Sequence, residues 1–194
     1  ATDYGDLSLI RWPTNVWLGT SASTQADFDR NVPYLLRCPA KVRFLSLEPL
    51  LEAVKIPLTA FGYVLQENPL RPRCYGPGIG PSIRWVIVGG ESGPDARPCN
   101  IDWIRSVIRQ CKAAGVRCFV KQLGARPQTN RSDGWFASMD QPQYWPLRNV
   151  RLDAPKGGDP SEWPEDLRVR EFPNVHEAAK GASDASQWRD GQRV

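Results

Sequence analysis

The chain has 194 residues, of which 41% are hydrophobic, and a net charge of +4. This length accommodates one domain with an ordinary core, because single domains cluster at roughly 100–150 residues, so a second large domain is not expected. No apolar run approaches the roughly 18 residues of a membrane-spanning helix, and no secretory signal is present, so we expect a cytoplasmic protein without membrane contact.

Charge is distributed unevenly along the chain. Residues 151–194 hold 7 Lys or Arg and 9 Asp or Glu, which leaves an excess of six positive charges on residues 1–150 because the total is +4. This excess favours a phosphate-bearing partner such as a nucleic acid or nucleotide. It falls short of the dense basic stripe of a dedicated nucleic-acid binder.

The cysteines and the single histidine limit metal and disulfide chemistry. Five cysteines form an odd set without a CxxC pair, which argues against a disulfide framework and suits a reducing cytoplasm. His176 lies in the polar tail, so ligands for zinc are scarce and we predict no metal site within this chain. The cysteines are Cys38, Cys74, Cys99, Cys111 and Cys118.

Four short apolar segments each run into polar residues, at Asn15–Ser21, Lys41–Glu48, Arg84–Ser92 and Arg117–Gln122. Their starts lie 26 to 43 residues apart, comparable with roughly 31 residues per βα unit in an eight-unit barrel of about 250 residues. We therefore predict an α/β fold in which residues 1–124 form half of a TIM-like barrel, with about four parallel βα units.

A first helix is predicted directly after the first strand. Ser23 or Thr24 is placed to cap it, with Asp27 as the acidic member of a short capping box. Pro33 lies inside the helical pattern and predicts a kink or a division of the helix. The predicted apolar face consists of Phe28, Val32, Leu35 and Leu36.

Residues 49–83 replace the single helix expected between the second and third strands. The stretch 69–81 contains four Pro and three Gly, too many for a regular element, so we predict a loop-rich insertion over one end of the barrel. Gly76–Gly80 looks like a phosphate loop, but it follows no predicted strand and opens no capped helix. Turn chemistry is the better interpretation.

A second helix is predicted before the fourth strand. Asn100 caps it, Asp102 lies in its first turn and Gly115 ends it. Its apolar face consists of Ile101, Ile104, Val107, Ile108 and Cys111.

Residues 125–194 are predicted to form an irregular arm and tail, punctuated by prolines and tryptophans. We expect Trp135, Trp145 and Trp163 to pack back on the barrel, with a frayed end after about Glu177. A tail disordered throughout is the alternative. Trp12, Trp17, Trp85 and Trp103 are interpreted as core or barrel-plug residues rather than as base-stacking platforms.

Polar side chains collect at the predicted mouth of the barrel, where barrel enzymes place their active sites. Alternate strand residues point inward, which brings Ser21, Ser46, Glu48, Glu91 and Lys121 to this mouth. Glu48, Glu91 and Lys121 are the catalytic candidates, because two carboxylates and an amine can hold an amino-bearing substrate or shift one another's pKa values. Alternatively, Lys121 neutralises both carboxylates in a structural network.

A glycine-rich turn follows the third strand at Gly89–Pro94. Glycines at a strand end let the backbone approach a ligand, and the amides of the turn can bind an anion. Asp95 and Arg97 extend the same loop and are candidates for contact with that ligand.

Together, the blocks Asn15–Ser21, Val42–Leu50, Trp85–Pro94 and Phe119–Gln122 resemble a family of uncharacterised phage and prophage proteins with a radical-SAM-like barrel. The resemblance covers residues 12–124 in order and includes the helix at 102–115. The segment Trp163–Pro173 is similar to the ends of some members.

Members of that family carry an upstream cysteine cluster that looks like the ligand set of an iron-sulfur cluster, the element that reduces S-adenosylmethionine. None of the five cysteines here has that spacing. The first residue is Ala1, so we expect a longer parent. The resemblance implies that this chain is the C-terminal half and holds no cofactor itself. S-adenosylmethionine and a 4Fe-4S cluster then belong to the intact parent.

The resemblance also implies a division of roles around the mouth. Ser21, Glu48 and Glu91 would line the side of the cavity that faces S-adenosylmethionine and substrate. We assign cofactor binding to Ser21, Ser46, Gly89, Gly90 and Ser92. Substrate contacts are assigned to Asp95, Arg97 and Gln122.

Three functions stay open at this point. The first is the C-terminal half of a radical-SAM-like enzyme acting on a nucleic acid or nucleotide, inactive as this chain alone. The second is a non-catalytic binding or accessory module that completes its barrel with a second chain, because half a barrel exposes two sheet edges. The third is an ordinary α/β hydrolase or transferase that uses Glu48, Glu91 and Lys121 without a metal.

Overall fold

A computed structural model describes residues 12–13, 15–62, 64–66, 73–75, 82–130 and 147–173 of the chain. Two helices and nine strands are assigned within these ranges. In chain order they are β1 (Trp17–Ser21), α1 (Gln25–Arg37), β2 (Val42–Leu47), β3 (Val64–Gln66), β4 (Arg73–Tyr75), β5 (Trp85–Gly89), β6 (Cys99–Asn100), α2 (Ile101–Ala113), β7 (Arg117–Gln122), β8 (Pro127–Thr129) and β9 (Arg148–Asn149).

The main sheet has four parallel strands in the order β1-β2-β5-β7. Each of the four predicted strands is present, and each lies beside the one that precedes it in the main sheet. Two smaller sheets accompany it, the antiparallel pair β3-β4 and the three-stranded sheet β6-β8-β9. The α/β prediction is confirmed, and within the described ranges the main sheet is open rather than closed into a barrel.

One face of the main sheet is buried. Leu45 and Leu47 of β2, Val86 and Val88 of β5, and Val120 of β7 are inaccessible to solvent. They form one core with Phe28 and Val32 of α1 and with Ile104 and Val107 of α2. Both helices therefore lie on the same face, and the predicted strand alternation is confirmed. The opposite face carries partly exposed residues, including Phe44, Ile87 and Phe119.

The helix caps follow the sequence prediction. The Thr24 hydroxyl accepts a hydrogen bond from the Asp27 N–H at 3.2 Å, and the Asp27 carboxylate accepts one from the Ser23 N–H at 3.2 Å. Asn100 caps α2 by accepting from the Asp102 N–H, and Gly115 follows the helix with φ at +65°. Pro33 lies inside α1, which continues through it, so the predicted division of the helix is wrong.

The first part of the insertion packs beside α2. Leu50, Val54, Ile56 and Phe61 are buried in the main core, and a short 3-10 helix spans Leu58–Phe61. The Gln110 side chain accepts from the Ile56 N–H at 2.7 Å and donates to the Val54 carbonyl at 3.0 Å. Residues 50–61 thus cover the sheet where a helix was expected, instead of lying only over its end.

The C-terminal arm is partly ordered against β7. The Val120 N–H donates to the Val169 carbonyl at 2.8 Å and the Glu171 N–H to the Cys118 carbonyl at 2.9 Å, so the arm covers the outer edge of β7. Trp163 is 1% exposed and its indole N–H donates to the Gly157 carbonyl at 3.0 Å. The expectation that Trp163 packs back on the domain is confirmed.

Some sequence predictions fall outside the described residues. These are the turn at Gly76–Gly80, the packing of Trp135 and Trp145, and the frayed end after Glu177. Trp12, Trp17, Trp85 and Trp103 are only partly buried, so none is a fully enclosed core residue. Among the described residues, no helix has both the length and the apolarity needed to cross a membrane.

The buried indole anchors the arm, and its removal should destabilise the fold. We expect Trp163→Ala to lower the free energy of unfolding by about 3–5 kcal/mol, through lost burial and a residual cavity. Urea unfolding followed by circular dichroism measures this change. Tyr34→Ala is the control, because Tyr34 is 62% exposed and a surface substitution shifts stability by only about 0.5 kcal/mol. Equal effects of the two substitutions would show that the arm is not anchored in this way.

Candidate functional site

The site lies where the strands of the main sheet end. Ser21 ends β1, Glu48 follows β2 directly, and Gly89 and Gln122 end β5 and β7. Ser21 and Ser46 are register partners across β1 and β2. Because all four strands are parallel, their C-terminal ends meet at one edge of the sheet, as predicted.

Glu48 occupies the centre of this edge. Its Oε2 lies 3.4 Å from the Lys121 Nζ and accepts a hydrogen bond from the Ser46 hydroxyl at 3.3 Å. Its Oε1 is buried and has no hydrogen-bond partner among the described residues. The two contacts of Oε2 are long for hydrogen bonds, so most of the accepting capacity of this carboxylate is unused.

Gly89 makes room for the Glu48 carboxylate. A Cβ at residue 89 would lie 2.9 Å from the Glu48 Oε1 and 3.0 Å from the Gln122 carbonyl oxygen. A Cβ at Gly90 would lie 2.3 Å from the Leu123 carbonyl oxygen. Both glycines therefore allow close packing within the protein. Their predicted contact with a cofactor stays a prediction.

Lys121 reaches Glu48 across the intervening strand β5. Val88 pairs with Val120, but the next pair is Gly89 with Gln122, so the register shifts and Lys121 is the extra residue. Such a bulge re-aims a side chain and often lies beside functional sites. The Lys121 side chain is 55% exposed, whereas that of Glu48 is 16% exposed. Nothing in the sequence pattern of the strand signalled this bulge.

Glu91 is engaged elsewhere. Its carboxylate accepts from the Arg97 Nε at 2.7 Å, the Arg97 Nη2 at 2.9 Å and the Arg97 backbone N–H at 2.9 Å. Hydrogen bonds from the Arg97 side chain, then from its N–H, lower the pKa of Glu91 from 4.5 to about 2. In the described part of the chain, no hydrogen bond or ion pair joins Glu91 to Glu48 or Lys121. Of the three predicted catalytic residues, Glu48 and Lys121 are thus joined to each other, and Glu91 is paired with Arg97.

Some of the other predicted ligand-contacting residues are bonded within the protein, and others are exposed. The Arg97 guanidinium pairs with Glu91, and the Arg97 side chain is 57% exposed. The Gln122 amide donates to the Gly90 carbonyl at 2.9 Å and closes the end of β7 against the turn. Ser92 and Asp95 are exposed on this turn. Ser21 is exposed at the end of β1, beside Ser46.

A cluster of aromatic rings, here called the aromatic floor, covers the other end of the open sheet face, where Trp17 and Trp85 were interpreted as core or barrel-plug residues. The Trp85 ring lies 5.9 Å from those of Trp17 and Phe44 and 6.1 Å from that of Phe119, measured between centroids. Phe172 of the arm lies 5.4 Å from Trp85 and is 61% exposed. The signal was in the sequence, because Trp17, Phe44, Trp85 and Phe119 share the inward phase of their strands.

Three cysteines lie on the opposite, buried side of the sheet. Cys99, Cys111 and Cys118 belong to the core. Burial raises the pKa of the Cys99 thiol to about 12. The pKa of Cys111 is raised by its hydrogen bond with Cys118 and by burial. No group of three or more Cys, His, Asp or Glu in the described ranges is arranged to hold a metal ion.

The Glu91 and Arg97 pair gives the site an acid-sensitive contact. Because the pKa of Glu91 is lowered in the folded state, the pair stabilises the fold above the ordinary value of 4.5, and this contribution is lost as the pH falls towards 2. We expect Arg97→Gln to return the Glu91 pKa towards 4.5, as measured by carboxyl carbon NMR titration.

Asp159 provides the internal control for this titration. Its pKa is lowered by hydrogen bonds from the Ser161 N–H and hydroxyl, and neither group is touched by the substitution. A Glu91 carboxyl that already titrates near 4.5 in the unmodified protein would contradict the pairing.

Comparison with known proteins gives one assignment. No curated protein and no solved structure matches this chain. The profile of a family described as protein of unknown function (DUF5131) matches residues 2–190, nearly the whole chain. The chain therefore belongs to the DUF5131 family.

Proposed function

We propose that this chain is the C-terminal portion of a radical-SAM-like protein of phage or prophage type, and that its open sheet face lines the cavity for S-adenosylmethionine and substrate. The observation that carries the proposal is the Glu48 carboxylate at the strand ends, with one oxygen near Lys121 and the other without a partner. A buried acceptor without a donor is the place where a ligand donor is expected.

The strand order supports a barrel segment. In an open doubly wound sheet helices cover both faces, whereas here the strands follow one another in order and both helices share one face. A sheet of this kind leaves its other face to line a barrel interior. On this view residues 1–124 form half of a TIM-like barrel and residues 125–194 form its arm.

The chemistry of the mouth suits the amino-acid end of S-adenosylmethionine. That end carries an ammonium and a carboxylate, and the sulfonium adds a second positive charge. Glu48 has accepting capacity for the ammonium, and the half-exposed Lys121 can turn from Glu48 to the ligand carboxylate because their 3.4 Å contact is long for a hydrogen bond. Ser21 and Ser46 supply hydroxyls beside Glu48.

The buried cysteines Cys99 and Cys111 do not suit an iron-sulfur cluster. Cluster ligands are thiolates, and the raised pKa values of the buried Cys99 and Cys111 favour their neutral thiols. In the proposed parent, the resemblance assigns the cluster to a separate, upstream set of cysteines. When bound, such a cluster supplies the electron that cleaves S-adenosylmethionine.

The proposed substrate is a nucleic acid or nucleotide. The excess of six positive charges on residues 1–150 supports this class. We also propose a reducing, cytoplasmic location. The free thiols of Cys38, Cys99, Cys111 and Cys118 support it.

One observation favours the alternative of an accessory module completed by a second chain. The aromatic floor is half-exposed, and within the described residues β1 has a strand neighbour only on its β2 side. An uncovered edge beside an apolar face favours pairing with another chain.

The third candidate function, a hydrolase or transferase that uses no metal, has less support. One of its three candidate residues, Glu91, is held by Arg97.

The radical proposal is tested on the product of the whole gene, purified without oxygen. We expect iron and sulfide in the stoichiometry of one cluster, with a broad visible absorbance that dithionite bleaches. Glu48→Gln in that protein should weaken S-adenosylmethionine binding about tenfold or more in equilibrium dialysis, because it removes a charge-assisted acceptor. Its iron content should stay unchanged.

Glu165→Gln is the matched control, since Glu165 is exposed at the start of the short helix Glu165–Leu167. It removes the same charge and should leave S-adenosylmethionine affinity unaltered. A gene product free of iron and sulfide after reconstitution would overturn the radical proposal. Equal effects of the two substitutions would overturn the role of Glu48.

The accessory-module alternative makes a different prediction for this 194-residue chain. Pairing through the open face should give a dimer in sedimentation equilibrium, and Phe172→Asp should shift that dimer towards monomer. The Phe172 side chain is 61% exposed, so the substitution leaves the buried core untouched. Tyr34→Asp on α1 is the control for an added surface charge. A monomer at every concentration would count against the alternative.

A further inference from the structure

A separate cleft lies away from the mouth. It has a volume of about 720 Å³ and is bounded by the second half of α2, the start of β7 and arm residues 166–171. Small-molecule sites commonly have volumes of roughly 300–1,000 Å³. Because Val116 and Arg117 are at the N-terminal end of β7, this cleft and the Glu48 mouth lie at opposite ends of the sheet.

The wall formed by α2 is basic. Ile108 and Arg109 each lie three or four residues from both Arg105 and Lys112, so the four residues share one side of α2, and all four line the cleft. Arg117 faces the same cleft from β7. Cations that converge on a concave surface from two elements raise the local positive potential more than the same charges spread over a flat surface.

The cations differ in how far they are already paired. Arg105 is 7% exposed and binds Asp166 at 2.7 Å and Asp102 at 2.9 Å, so it serves the structure. Arg117 lies 3.8 Å from Glu171 with both side chains about half exposed, which is a weak pair. Arg109 and Lys112 are exposed and have no ion pair within the described part of the chain.

The C-terminal end of α2 repels an anion only weakly. The negative end of a helix dipole repels anions chiefly through unsatisfied carbonyls. Here the Gln110, Cys111 and Lys112 carbonyls accept from the N–H groups of residues 114–116. Lys112 adds a positive charge in the same turn.

Apolar residues complete the lining. Ile108, Val116 and Val169 are partly buried and pack against the core, and all three face the cleft. An apolar surface beside free cations suits a ligand with a flat organic part and a phosphate. Arginine binds phosphate through its planar fork, and lysine binds it as a point charge.

We propose that this cleft binds the phosphate of a nucleotide, with Arg109, Lys112 and Arg117 on the phosphate and Ile108, Val116 and Val169 against the base or sugar. The site shares no residue with the Glu48 mouth, so it stands independently of the proposed radical function. The phosphate can belong to a free nucleotide or to a single nucleic-acid strand.

The test is titration calorimetry of this chain with adenosine 5′-monophosphate, with adenosine, and with a single strand of about ten thymidines. We expect the monophosphate to bind, with an affinity that falls as salt rises, and adenosine to bind at least about tenfold more weakly. The double variant Arg109→Gln, Lys112→Gln should weaken monophosphate binding by about tenfold or more. Thermal unfolding should be unchanged, because both side chains are exposed.

The double variant Arg37→Gln, Lys41→Gln is the matched control. Arg37 ends α1, Lys41 directly precedes β2, and both are exposed. It removes the same charge and should leave the affinity intact. If the thymidine strand binds more tightly than the monophosphate, and the Arg109→Gln, Lys112→Gln variant loses that binding, the phosphate belongs to a nucleic-acid strand. Three results would overturn the proposal. They are equal losses of monophosphate affinity in both double variants, adenosine binding as tightly as its monophosphate, and no binding of the monophosphate by the unmodified chain.

Discussion

The structure depends on burying one face of a four-stranded parallel sheet. Leu45, Leu47, Val86, Val88 and Val120 have no solvent exposure, and α1, α2 and the segment 50–61 all pack on them. Each fully buried aliphatic side chain contributes about 1.5–3 kcal/mol relative to exposure. Since α1, α2 and the segment 50–61 all lie on this face, most of the opposite face is open in the described structure. Its polar strand ends and its aromatic floor are consequences of that asymmetry.

The same constraint determines which charges are available at the mouth. Glu48 leans over Gly89 because no side chain at residue 89 stands in its way, and Lys121 reaches it through a bulge in β7. Glu91 follows the neighbouring strand, yet three hydrogen bonds from Arg97 satisfy its carboxylate. Glu48 and Glu91 each follow a strand of the main sheet, yet their carboxylates have different surroundings and different chemistry. One has accepting capacity to spare, and the other holds a turn in place.

The arm contacts both faces of the main sheet at β7. Its residues 169–171 extend the sheet at β7, where Arg170 lies over the Phe119 ring with 4.7 Å between the guanidinium carbon and the ring centroid. Phe172 continues onto the aromatic floor, while Asp166, Val169 and Glu171 line the basic cleft on the helix side. This short segment, held in place by the buried Trp163, therefore contributes both to the aromatic floor and to the basic cleft.

The sequence by itself determined the periodic features. Strand alternation, the caps at Thr24 and Asn100, and the end of α2 at Gly115 follow from local preferences of a few neighbouring residues, and all are confirmed. Only the tertiary structure decided the contacts between segments distant in the chain. The bulge at Lys121, the space that Glu48 occupies over Gly89, and the packing of residues 50–61 beside α2 each depend on partners more than 30 residues away. The pairing of Glu91 with Arg97 is local but depends on the shape of a turn. Periodicity carries no information about either kind of contact, because it records which face a residue lies on and not what it meets there.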